Sequence, residues 1–321
     1  MEMLVALAIF GLLLVVAGSM VNMISTTYQR IGGKIDIFEA ARHGFDTMNR
    51  TLRQATLCPY IDYNDPKAPT RYVRKSDLHF ICGSMQDLGL PPISTGYSPQ
   101  AIFLQAPLGL ADSASLQTVN GTLCNTGFYL AFDEDPDQPD IPQKSRFPKR
   151  FRFRLMQLLM PTESVNVYDY TVKTITADGT TLPVSNDSQN NRGWFSNAVG
   201  AKTFSRTLAE NVVALVILPI INGQPAASYL YDTRNPDTPS NLHQLPQALK
   251  VVMVVIDEQS ALRLENGEEP PSLIPAGLFE SPANFDADFI ELERSLAMFA
   301  PKVSFQVFVS DIPIQTAPWH L

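Results

Sequence analysis

The chain has 321 residues with 24 basic and 32 acidic side chains, giving a formal charge of −8 and a pI near 5.0. No basic excess exists to neutralise phosphates, which argues against a nucleic-acid binder working by counterion release. A hydrophobic share of 45% supports a core and excludes disorder throughout, and three cysteines are too few for a disulfide-built scaffold.

From Met3 to Ile24 the chain is uncharged and strongly apolar. As a helix this stretch spans roughly 33 Å, enough to cross the hydrocarbon layer of a bilayer. Three features oppose a cleaved signal peptide. No Lys or Arg precedes the run, the run exceeds a typical h-region, and the helical pattern continues beyond it. Residues 3–24 therefore read as a membrane-spanning helix.

The pattern continues with Ile31, Ile35, Phe38, Phe45, Met48, Leu52 and Ala55 on one stripe, so residues 31–57 read as its amphipathic second half. Glu39 with Arg42, and Asp46 with Arg50, are spaced to pair on the opposite face. Gly32-Gly33 is a plausible bend, and Cys58-Pro59 stops the helix because a residue before proline is pushed out of the α region. Not one of the 25 prolines falls before Pro59, so residues 1–58 read as one long helix and residues 59–321 as a head, with a membrane anchor followed by a separate small helix as the alternative that Gly32-Gly33 leaves open.

The head reads as short strands at Asp77–Cys82, Ala101–Ala106, Gly127–Phe132, Phe151–Leu159, Val212–Ile221, Ala248–Ile256 and Val303–Val309. FRFRL and VSFQV alternate with period two, which predicts antiparallel strands with one wet face. VVALVI and VVMVVI are apolar on both faces and belong in the centre, under the amphipathic half of the helix. Tyr60–Ser76, Asp133–Lys149, Thr176–Thr203, Asn222–Gln247 and Asp257–Ala283 read as loops. A late helix is predicted over Asp286–Ala300, with Phe289, Leu292, Leu296 and Phe299 on one face and Pro301 ending it. The fold class is α+β.

The opening MEMLVALAIFGLLL resembles the start of mature type IV pilins and type II secretion pseudopilins, in which a single Glu precedes Met-Leu-Val-Ala-Leu-Ala-Ile and an apolar helix. LAENVVALVILPI and LPQALKVVMVVIDE resemble the strand pair of J-type minor pseudopilins. FRFRLMQLLMPTESVNVY and VFVSDIPIQTAPW resemble Verru_Chthon cassette protein C. The resemblance implies a pilin-like fold: a long N-terminal helix, transmembrane then amphipathic, packed on an antiparallel β-sheet head. It implies a minor structural subunit, not an enzyme, anchored by a single pass in the bacterial inner membrane with its head in the periplasm. Its partners would be other pilin-like subunits, with prepilin peptidase as the processing and N-methylating enzyme. Glu2, Met3 and Leu4 would be the assembly residues. The family pattern also implies residues upstream of Met1: a basic leader, a Gly or Ala, then a Phe-Thr-Leu-like tripeptide. Two rivals stay open, a membrane-anchored periplasmic binding module or enzyme, and a tip adhesin or DNA-uptake minor pilin.

Asp133, Asp135 and Asp137 match the first, third and fifth places of an EF-hand loop, but Gln138 stands where glycine is needed and Lys144 where a bidentate acid is needed. That excludes an EF-hand and leaves the three aspartates as candidates for an irregular calcium site, against the plainer reading of a solvated acidic loop. No nucleophile elbow, phosphate loop or paired-Cys zinc spacing occurs, and no cofactor is expected. His43, His79, His243 and His320 are far apart in sequence, with His43 expected on the helix surface. One disulfide among Cys58, Cys82 and Cys124 is compatible with an oxidising periplasm, and the pairing stays open. Arg146, Lys149, Arg150, Arg152 and Arg154, interleaved with Phe147, Phe151 and Phe153, read as a solvated basic face over a buried aromatic one.

Overall fold

A computed structural model describes residue 20 and residues 36–317, except 66, 94–96, 117, 136–149, 169–172, 176–180, 184–191, 236 and 239. Of the apolar run Met3–Ile24 only Met20 is among them, and Ile31 and Ile35 lie outside them. No helix among the described residues is long and apolar enough to cross a membrane.

Helix α1 is described over residues 36–53. Its apolar stripe is buried as its spacing predicts: Ala41, Phe45, Met48 and Leu52 face the core, and His43 is exposed. The helix stops before the predicted 57. Gln54 and Ala55 donate to the carbonyls of Thr51 and Leu52, tightening the last turn, and Thr56 then bridges to Gln105. Ala55 and Leu57 stay buried, in extended chain. Pairing with a strand thus ends the helix before Pro59 can. The expected Asp46–Arg50 ion pair does not form; Arg50 donates to the Asp46 carbonyl and to the Thr47 hydroxyl.

A small antiparallel ribbon follows, β1 (Tyr60–Tyr63) with β2 (Tyr72–Lys75), inside a predicted loop. Strands β3 (Ile81–Ser84), β4 (Gln100–Ala106), β5 (Cys124–Glu134) and β6 (Phe151–Met160) come next, then a two-stranded piece of β7 (Lys173–Ile175) and β8 (Thr181–Pro183). Helix α2 (Gly193–Gly200), β9 (Ser205–Glu210), β10 (Val212–Ile221), β11 (Gln224–Pro225), β12 (Tyr231–Asp232) and β13 (Ala248–Ile256) continue the chain. Helices α3 (Glu258–Leu264) and α4 (Phe285–Met298) and strand β14 (Phe305–Pro313) complete it.

Every pairing among these strands is antiparallel. One sheet has the order β12-β3-β4-β5-β6-β9, the other β11-β10-β13-β14. β10 lies over β4, β5 and β6, so the two sheets pack face to face. Leu215, Ile217, Leu249, Val251 and Met253 point into that shared core. Val216, Leu218, Val252, Val254 and Ile256 point the other way, onto Leu292 and Leu296 of α4. Both central strands are therefore covered on two faces, which is why neither alternates. On the far side of the six-stranded sheet, Phe103 stacks on Phe195 of α2, with ring centroids 4.1 Å apart.

Helix α1 closes the side of this sandwich. Gly44 lies so close to β9 that a Cβ there would sit 3.1 Å from the Leu208 carbonyl oxygen. One residue on, the Phe45 ring centroid lies 5.7 Å from that of Phe308 in β14. The helix thus fills the seam between the edge strand of each sheet, and the α+β architecture follows from that.

The strand predicted at Asp77–Cys82 begins four residues later. The amides of His79 and Phe80 bond to the side chains of Gln105 and Thr233, not to the backbone of a neighbouring strand. The last strand likewise runs Phe305–Pro313, displaced from the predicted Val303–Val309. Helix α4 ends at Met298, two residues short of the predicted boundary.

Candidate functional site

The assembly residues Glu2, Met3 and Leu4 lie outside the described residues, as does Asp137. The described residues show α1 docked on the head and two polar networks that cross-link its strands.

The first network stands on β6. Alternation puts Phe151 and Phe153 on one face, the first stacked on Phe132 and the second tilted against it, and Arg150, Arg152 and Arg154 on the other. The arginine face is not solvated, contrary to the sequence reading: Arg154 is 3% exposed and the Arg152 side chain 12%. Arg154 donates to the backbone carbonyls of Asp133 and Glu134 and to the Asp135 carboxylate. Arg152 lies 3.0 Å from each of Asp135, Glu210 and Glu258, and Arg150 lies 2.7 Å from Glu258. Burial alone would lower the Arg152 pKa, but Glu258, Asp135 and Glu210 raise it above its ordinary value. Glu258 is held below the carboxylate range: the hydrogen bond from Asn211 and the charges of Arg152 and Arg150 outweigh its burial.

The chain places acids where these arginines need them. Glu210 sits in front of β10, and Asp257-Glu258 directly behind β13, so the lattice ties β5, β6, β9 and the start of α3 together. Of the calcium candidates, Asp135 is engaged by two guanidinium groups and Asp133 by Lys202 at 2.8 Å. No group of three metal-ligating side chains occurs among the described residues.

The second network lies in the core between β3, β12 and α2. Trp194 Nε1–H donates to His79 Nδ1 at 3.1 Å, so His79 carries its proton on Nε2 and donates to Asp232 Oδ1 at 2.9 Å. Burial lowers the His79 pKa more than the Asp232 charge raises it, so the ring is neutral. Asp232 is ionised: burial pushes its pKa up, but His79, the Arg234 amide and Arg192 pull it below the ordinary value. Burial brings Arg234 down to about 10. His79 and Asp232 are 153 residues apart, and sequence spacing brought no histidine to notice. The available signal was a histidine inside the apolar run LHFIC, where it needs buried partners.

The histidine–aspartate pair resembles part of a catalytic triad, but both ring nitrogens are occupied and His79 has no exposed surface. It lines neither of the two cavities described, one at the Tyr97–Phe153 end of the core and one between α1 and β14. Its chemistry is structural. Cys58, Cys82 and Cys124 are all free thiols, so the head has no internal disulfide among them; Cys58 alone of the three is exposed.

No family model matches this sequence, and no curated protein matches it. A type IV-like pilin, TTHA1219 from Thermus thermophilus, superimposes over 86% of this chain and 95% of that one, with 9% identity and a TM-score of 0.33. A superposition at that score does not establish a shared fold.

Proposed function

We propose that this chain is a pilin-like structural subunit, a minor component of a type II secretion- or type IV pilus-like assembly. Residues 3–24 hold it in the bacterial inner membrane, its head stands in the periplasm, and prepilin peptidase processes it. One observation carries the reading. Helix α1 is welded by its apolar stripe into the seam of the head, while the sequence N-terminal to it is uncharged over Met3–Ile24 behind a single Glu2. Force applied to the apolar stretch is thereby passed to the whole head.

The apolar stretch would serve twice. In the bilayer it is held by hydrophobic burial. In an assembly it exchanges lipid for neighbouring helices, a nearly neutral transfer that leaves Glu2 as the polar group needing a partner. The adjacent subunit's N-terminal amine would supply one. The J-type and Verru_Chthon cassette protein C likenesses favour a minor role, and they rest on sequence alone.

The test uses the full-length chain in membranes of the bacterium that encodes it. Carbonate washing should leave both the parent and Glu2→Ala in the membrane, while Glu2→Ala should lose the pilin-like chains that co-purify with the parent. Release of the parent by carbonate, or unchanged co-purification of Glu2→Ala, would overturn the proposal.

A further inference from the structure

The two faces of the β1–β2 ribbon differ. Tyr60, Asp62, Val73 and Lys75 share one face, where Lys75 lies 2.7 Å from Asp62 and Tyr60 donates to Asp77. Ile61, Tyr63, Tyr72 and Arg74 share the other. On that second face Ile61 is 63% and Tyr72 68% exposed, and the Tyr63 and Tyr72 rings stack 4.9 Å apart. An isolated two-stranded ribbon is marginal in water, and a continuous aromatic face on one marks a surface that is covered in use. Lys67, Arg71 and Arg74 surround it and form no ion pair among the described residues.

The same molecule carries a surface of opposite character in another layer. Helix α4 packs Leu292 and Leu296 onto the four-stranded sheet and presents Asp286, Ile290, Glu293 and Ala297 outward along one stripe. Ile290 is 65% exposed, and Glu268 and Glu280 lie exposed in the chain leading to the helix. The charge is distributed to match. Residues 60–75 carry four basic and two acidic side chains, and residues 280–298 carry five acidic and one basic, Arg294, which pairs with Glu291.

We propose that the β1–β2 ribbon of one copy docks on the outer face of α4 of a second copy of this chain. Ile61, Tyr63 and Tyr72 cover Ile290 and Ala297, while Lys67, Arg71 and Arg74 face Asp286, Glu293 and Glu280. Two different surfaces meet, so after one contact the pair keeps a free ribbon on one copy and a free α4 on the other, and the contact is repeated from copy to copy as a heterologous chain. Opposite charges around an apolar centre fix partner and orientation. The inference goes beyond the subunit reading, since it names the chain's own copy as the neighbour and stands on the head alone.

The exposed thiol of Cys58, two residues before β1, provides the probe. Full-length Ile290→Cys, purified in detergent so that no other chain is present, is treated with a short bismaleimide. The expected product is a ladder of dimers, trimers and higher species at low salt, fading as salt screens the contact. Reversing the basic side alone (Lys67→Glu with Arg71→Glu) or the acidic side alone (Asp286→Lys with Glu293→Lys) should lower ladder yield about tenfold. Combining all four reversals in one chain should restore it. All four residues are exposed, and an unchanged melting temperature confirms that the variants fold. Dimers only, as from Cys58 to Cys58, would overturn the proposal, as would no cross-linking or a four-site variant as weak as the two-site ones. Any of these would leave the Glu2 test standing, so the two failures are distinguishable.

Discussion

Gly127 marks the tightest point of the six-stranded sheet. A Cβ there would sit 2.2 Å from Cδ1 of Phe103 and 2.7 Å from the Ile102 carbonyl oxygen. The first clash would push Phe103 off Phe195, and the second involves backbone that cannot yield. Gly127→Ala should therefore cost about 1–3 kcal/mol by overpacking, read from urea midpoints. Gly200→Ala, whose Cβ would meet nothing within 4 Å, should be close to neutral. At the same scale the buried His79 makes stability pH-dependent. Its folded pKa lies below the ordinary value near 6.5, so the unfolded chain takes up a proton first. Its contribution is complete above that value and declines as pH falls through and below it. His243, also lowered chiefly by burial, acts in the same direction. The lowered Asp232 adds a second loss as pH drops through the carboxylate range. Urea midpoints should fall between pH 8 and pH 5.5, and His79→Gln should start lower and change less over that interval; an equal slope in the variant would show that His79 is not the titrating group.

At the scale of elements, α1 is the piece whose loss matters most. Phe45→Asp places a carboxylate without a partner against Phe308 and should cost more than about 3 kcal/mol, the low end for losing a buried Phe. Arg50→Ala removes only exposed bonds within its own helix and should cost less than about 0.5 kcal/mol. Comparable losses in thermal stability would mean that the stripe is not docked. Period and apolarity made this helix legible, along with the central strands Val212–Ile221 and Ala248–Ile256, whose bounds match the sequence reading at both ends. Polar solutions were not legible. The β1–β2 ribbon, α2 and α3 all fell in stretches whose composition reads as loop, because ribbons this short and helices of 7–8 residues have almost no period to detect. Arg154 was misread for a related reason. Alternation tells which side chains share a face, but not whether Asp135 and the carbonyls of Asp133 and Glu134 will cover it.

For the whole molecule, the seam occupied by α1 predicts where the chain can be cut. Removing residues 1–28 takes away the whole apolar run Met3–Ile24 and leaves the docked helix, so the head should be soluble and folded. Removing residues 1–58 strips Ala41, Phe45, Met48 and Leu52 from the core and should give aggregation. Equal solubility and equal melting temperature for the two fragments would refute the architecture.

The closure of that seam also sets a timetable. The Gln315 amide donates to the Arg53 carbonyl, and the Thr316 hydroxyl to that of Ala55, a separation of 261 residues. Strand β14, against which Phe45 packs, is likewise among the last residues described. A chain growing from a ribosome exposes α1 well before β14 is made, so the Phe45 side of its apolar stripe waits for its partner strand even after β9 has appeared. Loop-closure entropy of this size makes the final docking slow. During that interval the stripe is a site for holdase chaperones or for the membrane surface. Protease sensitivity of the α1 segment in stalled nascent chains should therefore persist until β14 has cleared the exit tunnel, and then vanish in one step.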